Sequence, residues 1–237
     1  MRHRFLRYRY RTERFDLAQL CKLPICGDTA LDIGANKGIF SYWISKTVGN
    51  SGLVYAFEPQ PEMVEHLKKL QSIFGLTQLR IQPVGLSSQP GELNLFRNYA
   101  GDGGASLIHV LGKGEKISVP VQTLNACFSN TPLKNLQFVK MDVEGHEVDV
   151  ILGGMELIQQ FMPVLMIECS LPDQTDIKIA NILEPLKYKA FFLDTGKAVA
   201  HHKIRETPNP DRDISNRNLW FCPEDKLGHF FPGMKIH

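Results

Sequence analysis

Asp142, Glu144, His146 and Glu147 crowd the stretch KMDVEGHEV, Lys140 to Val148, just after an apolar run. Residues of these types support three kinds of chemistry. Asp142 with Glu144 or Glu168 would hold a divalent ion that binds and acidifies a hydroxyl. His146 or Asp142 would act as a base toward a substrate proton. Alternatively, Asp142 or Glu144 would cap a helix starting at about Gly145, with Glu147 favoured in its first turn. Side chains alternate along a strand and lose that alternation past its end, so not all four can converge. The three readings stay open, and no metal ligand is assigned.

A second constellation lies upstream. LDIGANKGIF places Asp32 two residues before Gly34, with Asn36 and Gly38 following. The dinucleotide fingerprint G-x-G-x-x-G is absent, because Asn36 stands where its second glycine would be. Gly34 permits a tight turn, Gly38 a close approach of helix or ligand, and the helix start offers N–H groups to an anionic group such as a carboxylate. About twenty residues on, VYAFEP ends a strand in Glu58, a carboxylate suited to accept the two ribose hydroxyls of an adenosine.

These residues need elements that bring them together. TALDIG, LVYAF and LRIQPVGL read as strands, the last bent at Pro83. GIFSYWISKTV and PEMVEHLKKLQSIFG read as the intervening helices. ELNLF and KISVPVQTL form an inserted strand pair around the Gly-rich NYAGDGGASL. Alternation resumes with LQFVKMDV, a helix, PVLMIEC and a helix around IKIANILEPL. AFFLD and NLWFCP close the sheet as an antiparallel pair. Strands alternating with crossover helices predict a doubly wound, mainly parallel sheet whose ligands bind beyond the carboxyl ends of its strands.

Asp-x-Gly-x-x-x-Gly resembles motif I of S-adenosylmethionine-dependent methyltransferases. The wider series DIGANKG, YAFEP, VGLSS with PGELNLF, GGASL, VPVQTL, FVKMDVEGHEVDVILGG and PVLMIE resembles the FkbM methyltransferase family, from roughly Thr29 to Ser170. DVEGHE is its most specific part. The resemblance implies a Rossmann-like, seven-stranded sheet of the class I methyltransferase type, and O-methylation of a small molecule or sugar. It also implies S-adenosyl-L-methionine as cofactor, with Asp32, Gly34, Asn36 and Gly38 at its methionine end and Glu58 at its ribose. Where family members often carry Asp or Asn after the third strand, Ser87 and Ser88 stand here as the adenine-side candidates. Asp142, His146 and Glu144 are the catalytic candidates.

The chain has 237 residues, of which 43% are hydrophobic and 22% charged, and a formal charge of +2, ordinary for a soluble globular protein. The expected organisation is a basic arm over residues 1–20 and a single methyltransferase domain over 21–237. The arm, MRHRFLRYRYRTERFD, interleaves arginines with aromatic residues. It suits RNA, anionic lipid or an acidic partner, but a solvated arm or an amphipathic segment packed on the domain is the favoured reading. No signal-peptide core or membrane span is legible, and the scattered, odd set of Cys21, Cys26, Cys127, Cys169 and Cys222 suits a reducing cytoplasm. Cys169 reads as a buried thiol. Arg205, in a polar loop with His201 and His202, would meet an anionic acceptor.

Three rival functions remain. An RNA ribose methyltransferase would use the arm; methylation of a base amine is disfavoured, because DVEG replaces the [DN]PP[YF] turn. An NAD-linked oxidoreductase lacks its fingerprint. A catalytically silent interaction module would keep the fold alone. Acceptor identity and oligomeric state are not legible in the sequence.

Overall fold

The computed structural model describes residues 13–108, 114–131, 133–207 and 216–236. Residues 1–12 of the basic arm, His109 and Val110 of the Gly-rich loop, and residues 208–215 of the polar loop lie outside the described residues.

Helix α1 (Arg14–Leu20) precedes β1 (Thr29–Ile33), α2 (Ile39–Val48), β2 (Leu53–Phe57), α3 (Pro61–Phe74) and β3 (Leu79–Gln82). Helix α3 has proline in its first turn and a left-handed Gly75 just past its end, the backbone conformation a glycine adopts most readily. After β3 come the short β4 (Gly85–Leu86), β5 (Gly91–Arg97), β6 (Glu115–Gln122) and α4 (Leu124–Phe128). The second half holds β7 (Leu136–Met141), α5 (Glu147–Gly153), α6 (Met155–Phe161), β8 (Val164–Ser170) and α7 (Thr175–Leu183). It ends with β9 (Tyr188–Asp194), β10 (Lys197–Ala200), β11 (Asn216–Pro223) and α8 (Leu227–Phe230).

The main sheet runs β10-β9-β11-β8-β7-β1-β2-β3. The run from β8 to β3 is parallel, and β11 enters antiparallel between β8 and β9. Eight strands stand where seven were expected; the extra one is β10, folded back on β9 at the edge. The expected third strand divides at Pro83. Proline has no N–H for the ladder, so β3 stays in the main sheet, while β4 crosses to pair with β6. The inserted pair β5–β6 thereby becomes a separate three-stranded sheet.

Strand order reverses between β1 and β7, which places the ends of β1, β2, β7 and β8 around one crevice. Alternate strand residues feed two cores. Ala30, Phe138, Met166 and Trp220 face α1, α2 and α3, whereas Leu31, Val139, Leu165 and Leu219 face α4 through α7. Cys169 is buried in the second core, and all five cysteines are free thiols. No described helix is long and apolar enough to cross a membrane.

Helix α1 belongs to the packed structure. Leu17 and Leu20 are fully buried, and Asp16 accepts from Trp220 Nε1 at 2.7 Å and from Asn218 Nδ2 at 3.2 Å. Burial, opposed by these bonds, raises the Asp16 pKa to about 6. Asp16→Ala leaves the buried Trp220 indole N–H without its acceptor. We expect a loss of about 1–3 kcal/mol in stability, read as a lower urea midpoint at unchanged m-value.

Candidate active site

The turn after β1 is built by close approach. A Cβ on Gly34, whose φ is 74°, would lie 1.8 Å from the Asp142 carbonyl oxygen. Only glycine lets the ends of β1 and β7 meet this way. The strand ends are then laced together. Gly34 and Ala35 N–H both donate to Phe57 O at 3.0 Å, and Asp142 N–H donates to Ile33 O at 3.0 Å. Gly38 (φ 72°) serves packing instead, since a Cβ there would press on Leu67 and Leu70 of α3.

Glu58, only 3% exposed, is held by two backbone donors at 2.8 Å, Asn36 N–H to Oε2 and Gln60 N–H to Oε1. Each carboxylate oxygen keeps a further lone pair for a ligand. Burial, outweighing these bonds, pushes its pKa up to about 7. Glu58 borders a crevice of about 580 Å³, open to solvent, with Gly34, Asn36 and Gln60 beside it. Ile33, Phe57, Val84, Leu86, Leu95 and Leu107 form apolar walls, and Asp142, Val143 and Glu144 close the far end.

The Gly-rich loop after β5 covers this crevice through Gly103, Ala105 and Leu107. Its organiser is Asp102. The Asp102 carboxylate accepts from Asn98 N–H and Nδ2 at 2.9 Å and from Gly104 N–H at 3.1 Å. The Asp102 carbonyl accepts from Asn36 Nδ2 at 3.3 Å and Gln60 Nε2 at 3.1 Å. Ser106 Oγ reaches the Glu144 carbonyl at 2.6 Å. The loop is thus docked on both sides of the crevice.

Asp142 and Glu144 also line a second, polar depression of about 470 Å³ with Glu147, Glu168, Ser170, Asp173 and Asn216. Lys140, 3% exposed, supplies the counter-charge here, with Nζ 3.1 Å from Asp142 Oδ2. Desolvation disfavours its ammonium, but Asp142, Asp32 and Glu168 outweigh that and raise its pKa. Burial likewise opposes the Asp142 carboxylate, yet Lys140 and a hydrogen bond with Glu168 hold its pKa low. Burial and the Asp142 charge push Glu168 well up, so the two carboxyls share one proton near neutrality. The same two causes bring Glu144 to about 7.

Several sequence candidates sit elsewhere. Asp32 is fully buried beneath α2, bonded to Ser41 Oγ, and does not line the crevice. His146 turns away from both depressions: Nε2 shares a hydrogen bond with Ser87 Oγ at 2.9 Å, and Nδ1 lies 3.7 Å from Asp149. Burial lowers its pKa. Ser88 Oγ donates to Asp149 at 2.7 Å. The hydroxyls of Ser87 and Ser88 are therefore taken up in tying β4 to α5. Neither Asp142 nor Glu144 caps α5 through a side-chain bond; Glu147 Oε1 accepts the Val143 and Gly145 N–H groups instead. Residues 201–203 form a 3-10 turn rather than an extended segment. There His201 and Arg205 bind the buried Asp176, at 2.8 Å each, so Arg205 is engaged within the fold. Lys140, Gln60 and Asp102 were absent from the candidates, although a lysine inside an apolar strand is a legible signal that carboxylates surround it.

The Methyltransferase FkbM domain family model matches residues 32–206, well over half of the chain. A search of curated proteins gives no match. Among solved structures, the chain is similar to a methyltransferase FkbM from Methylobacillus flagellatus KT, with 17% identity and a TM-score of 0.54. That match covers 82% of this chain and 43% of the other, so the chain spans less than half of that relative. An rRNA methylase from Streptococcus thermophilus follows at 10% identity and TM-score 0.53, covering 90% and 96% of the two chains. A Streptococcus mutans protein described as a methyltransferase, in complex with SAH, matches at 9% identity and TM-score 0.52, covering 89% and 97%. At these identities the likeness establishes the fold: a class I methyltransferase sheet.

Gly34→Ala combines a positive φ with overlap against a backbone carbonyl. We expect a destabilisation of about 3 kcal/mol or more, seen as a thermal midpoint lowered by several degrees or as loss of folded protein.

Proposed function

The chain belongs to the FkbM methyltransferase family, and from that premise we propose that it moves the methyl group of S-adenosyl-L-methionine to a hydroxyl oxygen of a small molecule or sugar. The observation that carries this reading is the pair of depressions meeting at Asp142. One is apolar with a ribose-suited carboxylate, Glu58, and the other is polar and acidic. Of the crevice residues, Val84, Gly85 and Leu86 would hold the adenine of the cofactor, Glu58 its ribose, and Gly34 and Asn36 its methionine end. Asp32, behind the turn, acts by holding α2 through Ser41. The fold neighbour from Streptococcus mutans was solved with SAH, in keeping with such a ligand in such a crevice.

When bound, the cofactor supplies a methyl on a positive sulfur. An acceptor hydroxyl that received this methyl would have to give up its proton. Asp142 stands where the two depressions meet, with its charge maintained by Lys140. It orients the hydroxyl by accepting its hydrogen bond, and the proton leaves to water in the open acidic depression. Glu144 lines both depressions. His146 serves as a positioning residue, through Ser87, for the segment that carries Asp142.

Calorimetric titration of S-adenosylhomocysteine and of NAD into the protein tests the cofactor. We expect saturable binding of the first alone, weakened at least tenfold by Glu58→Ala; binding of NAD alone, or of neither, would end this reading. The Glu58 pKa of about 7 adds a sign. Below it the carboxyl is protonated and its proton must be released to receive the ribose. Affinity should fall as pH drops through about 7, by up to about tenfold per unit, and Glu58→Gln should flatten that slope. Asp142→Asn should leave affinity for S-adenosylhomocysteine within about threefold, while turnover on a hydroxyl acceptor falls by about 10²-fold or more.

A further inference from the structure

We propose that the acidic depression between the ends of β7 and β8 binds a divalent cation through Asp142, Glu144 and Glu168, and that the acceptor oxygen is held on this cation. The inference rests on the O-methyl reading above and names the device by which its acceptor is bound.

One carboxylate oxygen from each of these three residues lies within 4.8 Å of the others. Oxygen ligands sit about 2.0–2.6 Å from magnesium or calcium, so opposite ligands are separated by about 4–5 Å. The three oxygens therefore already fit one coordination sphere. All are hard donors, with no thiolate or imidazole among them, which selects magnesium, manganese or calcium over zinc or copper.

A second observation, independent of that cluster, points into the same depression. Glu147 lines it and is 2% exposed. Its Oε1 takes the Val143 and Gly145 N–H groups, whereas its buried Oε2 has no hydrogen-bond partner in the structure. A buried carboxylate oxygen is costly to leave unsatisfied. A hydrated cation at the cluster supplies the missing donor, through a metal-bound water. Five carboxyl groups line the depression, Asp142, Glu144, Glu147, Glu168 and Asp173, and Lys140 beside Asp142 supplies one ammonium.

Three protein ligands leave open coordination positions. Ser170, Asp173 and Asn216 border them and suit metal-bound water or a polyol. The cation binds the acceptor hydroxyl and makes it more acidic, and the proton passes to water at the open mouth of the depression. The oxygen then forms its bond to the methyl carbon while the C–S bond breaks toward sulfur.

The test is titration of the full chain with manganese(II), following the free-ion signal by electron paramagnetic resonance, with no acceptor present. S-adenosylhomocysteine binding is measured on the same samples by calorimetry. We expect one saturable manganese per chain, displaced by magnesium, with affinity reduced at least tenfold in Glu168→Gln and in Glu144→Gln. Absence of saturable binding, or binding unchanged in both variants, would overturn the proposal. Glu144 lies at the partly exposed rim, so its variant carries the comparison where Glu168→Gln fails to fold. Manganese without S-adenosylhomocysteine binding would sustain the cation site and sink the cofactor reading. S-adenosylhomocysteine without manganese binding would do the reverse.

Discussion

The contact between the Gly34 turn and the end of β7 is the constraint on which the site depends. A single methyl group at Gly34 would occupy the place of the Asp142 carbonyl. Without that methyl the β1 turn lies directly on β7, and hydrogen bonds to Phe57 O and Ile33 O draw in the ends of β2 and β1. Glu58 then comes within reach of Asn36 N–H, and Asp142 arrives where the apolar and acidic depressions meet. Backbone crowding, rather than any side-chain bond, sets the distance between the Glu58 and Asp142 carboxylates.

Charge is the second organising factor. Lys140 is almost completely buried, with Asp142, Asp32 and Glu168 as the sources of its stabilisation. An ammonium so placed is tolerable only among carboxylates, and removing one partner from such a set costs far more than an exposed pair would. The cluster therefore constrains its own geometry. It keeps Asp142 ionised, lets Glu168 retain a proton, and leaves the depression acidic toward its open side. Lys140 also lies 5.0 Å over the Phe40 ring, which fixes the β7 end against α2.

The inserted sheet contributes the roof. Arg97 at the end of β5 pairs with Glu62 of α3 and, at 2.7 Å, with Glu115 of β6, so the loop springs from an anchored base. Asp102 then folds the loop on itself and presents its carbonyl to Asn36 and Gln60. The residues that bracket Glu58 thus also hold the cover of the crevice, which couples the state of the loop to the residues closest to the proposed ribose.

Much of this was legible in the residue order. Apolar runs ending in Gly34, Glu58 and Asp142 mark parallel strands whose ends carry polar chemistry, because strand period and helix period are local properties of the chain. The glycine turn, the helix boundaries at Pro61 and Gly75 and the DVEGHE segment needed only near neighbours to be read. What the sequence left open was direction and partnership. Asp32, His146, Ser87 and Ser88 share the composition of site residues, yet the fold bonds Asp32 Oδ2 to Ser41, Ser88 to Asp149, and His146 to Ser87. Gln60, Asp102 and Lys140 enter the picture through contacts with residues distant in sequence or on neighbouring strands, and Glu168, named from sequence beside Asp142, meets it across such strands. The division at Pro83 was visible as a bend, but which sheet β4 would join depended on β6, more than thirty residues later. Sequence by itself determined the order of elements and the chemical types available at their ends; tertiary packing decided which of those groups face a ligand, because burial, close approach and hydrogen-bond partners arise only between segments that the chain brings together.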